Sequence, residues 1–119
     1  MKTNELKVYH DTMDLCKVIH RLTRNFPKFE KYSIGGKLFD DSLGLIQCIA
    51  HANREIAKRE YWLTEFLVRF ESIKSLLRIC LDERIIPINC TKEVSRLVML
   101  VEKQVTGWKN SAANKSRIG

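Results

Sequence analysis

The stretch from Arg59 to Arg84 constrains the fold most, because it predicts one long helix with apolar residues on two sides. One apolar set recurs at three- and four-residue spacing and therefore predicts a stripe that faces a core. This set comprises Leu63, Phe66, Leu67, Phe70, Ile73, Leu77, Cys80 and Leu81. Val68, Leu76 and Ile79 fall outside the stripe. A helix that is hydrophobic beyond one face usually has a second contact, so we interpret these three residues as a subunit interface.

Length and composition predict one folded domain. The chain has 119 residues, of which 45% are hydrophobic and 29% are charged. Such a chain is long enough to bury one core and too short for a second. The net charge of +7 favours an anionic partner such as nucleic acid, although a basic surface can also serve solubility alone.

The sequence lacks the features of membrane and secreted proteins. No apolar run approaches the length of a membrane span, and the N-terminal residues MKTNELK lack the apolar core of a signal peptide. The four cysteines are scattered without CxxC spacing, which favours reduced thiols that pack as small hydrophobic side chains. We therefore predict a cytoplasmic protein.

Residues 4 to 24 predict the first helix, which ends before Pro27 because proline disfavours helical geometry in the residue before it. Its core stripe is Val8, Thr12, Leu15, Ile19 and Leu22. Its opposite side carries basic residues spaced so that they line up along one solvent face. We call Lys17, Arg21 and Arg24, together with His10, the basic ridge.

A second helix is predicted from an N-cap at Ser33 to about Arg54. Gly35 and Gly36 each weaken it by about 1 kcal/mol relative to alanine, which predicts a compensating close approach of the backbone to a neighbour. Its core stripe is Ile34, Leu38, Leu45, Ile49, Ala52 and Ile56. Its second apolar stripe is Phe39, Leu43 and Ile46. Asp41 lies on the core stripe, which predicts a partner from another helix.

The last predicted helix begins at Thr91, and its apolar residues form the clearest stripe in the chain. These residues are Val94, Leu97, Val98, Val101, Val105 and Trp108. Residues 109–119 are small, polar and basic, so we predict a flexible tail beyond a bundle formed by residues 1–108. No strand pattern is present. Four helices with short connections predict an all-α, up-down-up-down four-helix bundle.

Patterns that carry catalysis or metal binding are weak. Cys16 with His20 and Cys48 with His51 have the spacing of ligand pairs on a helix, but neither pair has a second cluster, so packing at the core edge is favoured. The glycines of SIGGK lack the pattern of a phosphate-binding loop. We predict no enzymatic activity, no metal site and no cofactor.

The basic helices remain as a candidate binding surface. Phosphate binding requires only Lys and Arg side chains that reach a polyanion, and counterion release makes the affinity fall steeply with salt. Aromatic residues interleaved with basic ones, as in a stacking platform for single strands, are mostly absent, since Phe66, Phe70 and Trp108 lie on core stripes. An oligomer would repeat the basic faces, so that their fields add.

Several segments resemble a known family. The run FPKFEKYSIGGKLFDDSLGLIQCIAHAN, the helix LLRICLDERII and the final VTGWKNS are similar to the accessory variability determinants of diversity-generating retroelements. More distantly, they resemble the four-helix proteins encoded by intervening sequences of large-subunit ribosomal RNA. The similarity extends from about Leu6 to Trp108. Its landmarks are Pro27, Tyr32, Gly35, Gly36 and Trp108.

The resemblance implies a four-helix bundle that assembles as a barrel-shaped pentamer with a positively charged surface. Such a protein associates with the reverse transcriptase of its element and with the template RNA, supports error-prone cDNA synthesis and has no active site. Charge and geometry select the candidate binding residues, which are Lys17, Arg21, Arg24, Lys58, Arg59, Lys74, Arg78, Lys103 and Lys109. The candidate interface residues are Phe39, Leu43, Ile46, Val68, Leu76 and Ile79.

This interpretation predicts that Lys74→Glu with Arg78→Glu leaves the fold intact and weakens binding of RNA or partner. Two other functions are compatible with the sequence. One is a generic helical interaction protein, as in the intervening-sequence family, whose charge only keeps it soluble. The other is a small metal-binding or redox bundle, which predicts stoichiometric metal or thiol chemistry.

Overall fold

The computed structural model describes the backbone of residues 1–118 and the side chains of residues 1–115. Its four long helices are α1 (Lys7–Arg24), α2 (Gly36–Arg54), α3 (Arg59–Asp82) and α4 (Thr91–Ile118). Short 3₁₀ turns at Thr3–Glu5, Ile56–Lys58 and Ile88–Cys90 precede α1, α3 and α4. No strand occurs among residues 1–118.

The helices form a four-helix bundle. Each packs against its neighbours in sequence, and α1 packs against α4, which closes the bundle. Short connections make sequence neighbours antiparallel. The molecule measures 51 × 22 × 21 Å, and the 28 residues of α4 account for about 42 Å of that length at about 1.5 Å per residue. The predicted all-helical bundle is confirmed.

The core is built from the predicted stripes, with Ile86 of the connection between α3 and α4 in addition. Phe66 and Phe70 of α3 are fully buried, with ring centroids 5.6 Å apart. Other fully buried side chains are Leu15, Ile19, Leu38, Leu45, Ile49, Leu63, Ile73, Ile86, Val101 and Val105. Ile56, which was predicted for the core, is exposed because it lies in the 3₁₀ turn after α2, where the helical spacing of that stripe no longer applies.

The region between α1 and α2 is helical, whereas the sequence predicts only a short connection from Pro27 to an N-cap at Ser33. A short helix, Lys28–Glu30, and a π-helical turn, Lys31–Gly35, lead directly into α2. We call residues 28–35 the connecting segment. Ser33 does not cap α2, because helix already precedes it and its hydroxyl donates to the Phe29 carbonyl oxygen at 2.8 Å. The fixed φ of proline is compatible with the position before the first turn of a helix. Pro27 therefore precedes the connecting segment as its N-cap, in addition to following the end of α1.

Three further details differ from the sequence-based expectations. First, α1 begins at Lys7 rather than at residue 4, because residues 3–5 form a separate 3₁₀ turn. Second, Asp41 pairs with Lys37 of its own helix at 3.1 Å rather than with another helix. Third, α4 continues to Ile118, beyond the boundary predicted at Trp108.

The extension of α4 has a local explanation. Ala112 and Ala113 have high helix propensity and are half-buried, and Ala112 lines a cleft against the turn before α3. Residues 109–118 therefore belong to the last helix. Gly119 and the side chains of residues 116–118, which were assigned to the predicted tail, lie outside the described residues.

The two adjacent glycines before and at the start of α2 have different surroundings. A Cβ at Gly35 would lie 3.2 Å from the Glu30 carbonyl oxygen and 3.4 Å from Phe26, whereas a Cβ at Gly36 would meet nothing within 4 Å. The predicted close approach therefore applies to Gly35 and not to Gly36.

We expect opposite effects when each glycine is replaced by alanine. Gly36→Ala is expected to raise the free energy of unfolding by about 0.5–1 kcal/mol, because alanine restricts the unfolded chain and favours the helix. Gly35→Ala is expected to lower it by about 1 kcal/mol, because the methyl group must displace a backbone carbonyl. Urea denaturation of the two variants measures both changes. Stabilisation by both substitutions would contradict the close packing at Gly35.

Candidate functional site

The basic ridge lies on the solvent face of α1. Lys17 and Arg24 are exposed, and the ion pairs of the described side chains include neither of them. Arg21 is partly used within the bundle, because its Nη2 donates to both carboxylate oxygens of Glu93 on α4, at 3.1 and 3.2 Å. Lys17 and Arg24 are therefore the ridge residues that remain available for an anionic partner.

The candidate residues of α3 are already paired with acids. The Lys74 ammonium lies 2.6 Å from Glu102 Oε1 on α4 and 2.7 Å from Glu71 Oε1 on α3. Hydrogen bonds to Glu102 and then to Glu71 raise the pKa of Lys74. Arg78 is exposed and contacts Asp82 at 3.2 Å. Lys74 joins α3 to α4. Lys74→Glu would break this contact, so we no longer expect the substitution to leave the fold intact.

Arg59 has a structural role at the junction of α2 and α3. Its Nε donates to the Ala52 carbonyl oxygen at 2.7 Å, and its Nη2 donates to the Asn53 carbonyl oxygen at 3.1 Å. These bonds satisfy carbonyl groups that the end of α2 leaves without helical partners. The guanidinium carbon also lies 5.4 Å from the centroid of the Trp108 ring. Arg59 thereby connects the end of α2 to α4.

Three parts of the chain meet at this end of the bundle. The Asn53 side chain donates to the Met1 carbonyl oxygen at 2.9 Å and to Thr3 Oγ1 at 3.1 Å, which holds the N-terminal residues against α2. A cleft of about 260 Å³ separates the turn before α3 from α4. Its lining residues are Ile56, Ala57, Arg59, Glu60, Ala112 and Lys115.

This convergence concentrates positive charge that is remote in sequence. The basic side chains near the junction are those of Lys2, Arg54, Lys58, Lys109 and Lys115. We call these five residues the basic end. All are exposed except Lys109, which is half-buried. Of the predicted binding residues, Lys58 lies in the turn before α3 and Lys109 lies three residues before Ala112 of the cleft, whereas Lys17 and Arg24 lie on the solvent face of α1.

Lys103 lies on a third surface, the outer side of α4. It is exposed and lines a shallow groove with Arg96 and Met99. Lys92 and Arg96 lie on the same side of α4 as Met99 and Lys103. Successive members of this set are four, three and four residues apart, and such spacing places residues on one helical face.

The six candidate interface residues fall into two groups. Leu43, Val68 and Ile79 are exposed on the bundle surface, and the exposed fraction of Val68 is 62%. Phe39, Ile46 and Leu76 are half-buried. Leu76 packs at the edge of the core, and the Phe39 ring centroid lies 5.0 Å from that of His20. The first group is thus more accessible to a partner than the second, which is largely covered by its own chain.

Comparison with known proteins identifies the family. A sequence model described as bAvd-like matches residues 7–112, a range that spans α1, α2 and α3 and most of α4. The chain belongs to the bAvd-like family. No curated protein gives a significant match. The family match confirms the resemblance to accessory variability determinants and indicates an accessory protein of a diversity-generating retroelement.

The cysteine and histidine pairs of this bAvd-like protein make internal contacts. Cys16 Sγ donates to the Ser42 carbonyl oxygen at 3.3 Å. His51 Nδ1 lies 2.7 Å from Glu55 Oε2, and its ring stacks on Trp62 with centroids 4.2 Å apart. Within the described part of the chain, no group of three or more His, Cys, Asp and Glu side chains is placed to hold a metal ion.

Three of the thiols of the bAvd-like protein are held in the protonated form. Burial raises the pKa of Cys16 and of Cys48. Burial and, to a smaller extent, the Glu30 carboxylate raise the pKa of Cys80 to about 11. Because the thiolate is the reactive and metal-binding form, these environments disfavour thiol chemistry at neutral pH. Among the helices described, none is both long and apolar enough to cross a bilayer.

Sequence reasoning missed part of the basic surface of the bAvd-like protein. Lys2, Arg54 and Lys115 were not selected, because they become neighbours only when the N-terminal residues, the turn before α3 and the end of α4 meet. Lys92 and Arg96 had a signal in the sequence. Their spacing from Lys103 places them opposite the apolar stripe of α4.

Proposed function

We propose that this bAvd-like protein is a non-enzymatic accessory subunit that binds the reverse transcriptase and template RNA of a diversity-generating retroelement and supports mutagenic cDNA synthesis. The observation that carries the proposal is the pair of exposed basic surfaces, the basic ridge and the basic end, on a member of this family. A rigid bundle with such surfaces can bind a polyanion through its phosphates, largely independently of base sequence.

The two surfaces supply the RNA contacts in this proposal. Lys17 and Arg24 of the ridge, and Lys58 and Lys109 of the basic end, bind phosphates because they lack acidic partners among the described side chains. Lys103 adds to the positive field, and the reverse transcriptase contacts Arg21 and Arg78 together with their paired acids, Glu93 and Asp82. Lys74 and Arg59 instead support the bundle.

Assembly multiplies these surfaces. In this proposal the exposed side chains of Leu43, Val68 and Ile79 contact further copies of the chain in a barrel-shaped homo-oligomer, with a pentamer favoured. Their exposure on the single chain supports this, because partners commonly cover apolar side chains that a bundle leaves outside. A closed ring repeats the basic ridge in every copy, so the fields of the copies add.

Removal of charge from the ridge tests the RNA contact. Lys17→Gln with Arg24→Gln is expected to weaken binding to a single-stranded RNA roughly tenfold at about 0.1 M salt and to lower the slope of log affinity against log salt by about 1.4. The matched control is Lys7→Gln with Lys37→Gln, which removes the same charge from lysines paired with acids on their own helices. A mobility-shift assay over a salt series measures both.

The outcomes distinguish whether the ridge is the RNA-binding surface from whether the protein binds RNA at all. Equal losses in the ridge variant and in its control would contradict a specific role for the ridge. A wild-type protein that binds no RNA at low salt would contradict RNA binding altogether. The protein contact is tested by co-purification with a reverse transcriptase encoded next to this chain, and its failure would contradict that half of the proposal.

The exposed apolar side chains favour one second candidate. A helical bundle that only mediates contacts between proteins, as in the more distantly similar intervening-sequence proteins, would use Val68 and Ile79 in the same way. That function predicts no salt-dependent RNA binding and no reverse transcriptase gene beside this one. The mobility-shift assay and the gene neighbourhood therefore distinguish the two functions.

A further inference from the structure

The connecting segment exposes two aromatic side chains. The exposed fractions are 80% for Phe29 and 76% for Tyr32. The two residues are three apart in one continuous helical segment, and both side chains face solvent. The other phenylalanines, Phe26, Phe39, Phe66 and Phe70, are buried or half-buried. Tyr61 of α3 is also exposed, at 58%, so the connecting segment is distinguished by two strongly exposed aromatic residues close together in sequence.

The inner side of the segment is anchored to the bundle. Phe26 is buried just before the segment, and Gly35 is buried at its end. A Cβ at Gly35 would lie 3.4 Å from Thr23 of α1, which shows how closely the backbone approaches that helix. The π-helical turn at Lys31–Gly35 is a feature that often occurs at functional sites. The two aromatic rings are thus displayed by a fixed backbone rather than by a free loop.

Positive charge surrounds the two rings. Lys28 and Lys31 are exposed, and Lys31 Nζ lies 6.0 Å from the centroid of the Tyr32 ring. The acidic residue of the segment, Glu30, is half-buried, and its carboxylate contributes to the raised pKa of the buried Cys80, so it lies on the inner side. Arg24 of the basic ridge follows Thr23, whose Cβ would lie 3.4 Å from a Cβ at Gly35. The outer side therefore combines exposed aromatic rings with lysines, next to the end of the ridge.

We propose that Phe29 and Tyr32 stack on two bases of a single-stranded RNA whose phosphates contact Lys28, Lys31 and Arg24. Every base has a face that can stack on an aromatic ring, so this contact requires unpaired bases but not a particular sequence. A duplex keeps its bases stacked on each other and offers only phosphates. A second copy of the chain fits less well, because it would bring the same lysines together.

The inference rests on the proposed function and deepens it. Phosphate contacts alone bind single and double strands alike, whereas two stacked bases make this end of the ridge selective for single-stranded template. The contact also limits the strand to a path from the connecting segment along Arg24 and Lys17 of α1.

The test compares Phe29→Ala with Tyr32→Ala, made together, against the wild-type protein. Fluorescence anisotropy is measured with three labelled strands of equal length, namely single-stranded RNA, duplex RNA and a strand without bases. We expect the double variant to bind single-stranded RNA at least about 20-fold more weakly, since each stacked base is worth roughly 5- to 150-fold. Affinities for the duplex and for the baseless strand are expected to change less than about twofold, because their phosphate contacts remain.

Two matched variants control for lost apolar surface and for folding. Ile88→Ala with Met99→Ala removes two other exposed apolar side chains and is expected to leave all three affinities unchanged. Phe29→Tyr with Tyr32→Phe retains both rings and is expected to bind single-stranded RNA as the wild type does. Circular dichroism and thermal denaturation verify the fold, which exposed residues should not alter.

Each contrary result overturns a stated part. Base stacking is overturned if the alanine variant binds single-stranded RNA as well as the wild type does, or if it binds all three strands equally more weakly. In either case, RNA binding by the wild type still supports the proposed function. A change in oligomer mass with full RNA affinity assigns the pair to a subunit interface and also overturns stacking. A wild-type protein that binds none of the strands at low salt overturns the proposed function itself.

Discussion

Under the proposed assembly, Val68→Asp is expected to yield a folded monomer. Val68 is largely exposed on the single bundle, so an aspartate there meets water and costs little in the isolated chain. In a subunit interface the same carboxylate would be buried without a partner, which costs several kcal/mol per site, on the order of 3–5. A closed ring repeats that cost at every interface, so the effect on assembly far exceeds the effect on folding.

Light scattering at several protein concentrations measures this prediction, with circular dichroism to confirm the helices. Met99→Asp is the matched control, because Met99 is also an exposed apolar residue but lies outside the six candidate interface residues. The control should retain the mass of the wild type. A Val68→Asp protein that still assembles would exclude this side of α3 from the interface. A wild type that is monomeric at high micromolar concentration would contradict the barrel.

The second large effect is a loss of stability in Lys74→Glu. The Lys74 side chain is 28% exposed and lies between the carboxylates of Glu71 and Glu102. Glutamate at this position would bring three carboxylates together and would break the link between α3 and α4. We expect the free energy of unfolding to fall by about 2–3 kcal/mol, which is less than for a fully buried ion pair because water still reaches the site.

Urea denaturation at pH 7 measures the loss. Lys37→Glu serves as the matched control, since Lys37 is an exposed lysine that pairs with one acid on its own helix, and it is expected to cost about 1 kcal/mol or less. Equal stability of Lys74→Glu and the wild type would show that the contacts of Lys74 contribute nothing to the bundle.

The same contacts predict how stability depends on pH. Hydrogen bonds to Glu102 and Glu71 raise the pKa of Lys74 above its ordinary value of 10.5. The stabilisation is therefore fully present below the pKa of the unfolded state and is lost as the pH rises through the higher pKa of the folded state. Denaturation of Lys74→Met provides the reference, and the difference from the wild type should shrink as the pH rises through that alkaline range. A constant difference would contradict the raised pKa.

Helical periodicity made most of the fold predictable. Phe66, Phe70 and the other core residues of α3 recur at three- and four-residue spacing. That spacing alone identifies the buried face of the helix. Periodicity fails where the backbone changes its geometry. Extending the spacing of α2 through a 3₁₀ turn predicts that Ile56 is buried, although it is exposed. Pro27 ends α1 in the sequence pattern, but it also precedes the short helix Lys28–Glu30, which the pattern does not predict.

The basic side chains of the candidate site were predictable from the sequence, but their ion-pair partners were not. The sequence identifies Lys17, Arg24 and Lys74 equally as basic residues on helices. Only the folded chain distinguishes them, because Lys74 and Glu102 are 28 residues apart in sequence and become neighbours when α3 packs against α4. Exposure of Phe29 was also beyond prediction, since the path of the connecting segment over the bundle decides which side chains remain outside.

The order in which the helices pack has a consequence for biosynthesis. The α2–α3 hairpin has a short connection and its Arg59 bonds, so it can form as soon as both helices have left the ribosome. The pairing of α1 with α4 joins the two ends of the chain and must wait for the final helix. Until then, the nascent protein leaves uncovered the part of the apolar stripe of α1 that α4 later buries, which makes this stage the one most exposed to aggregation.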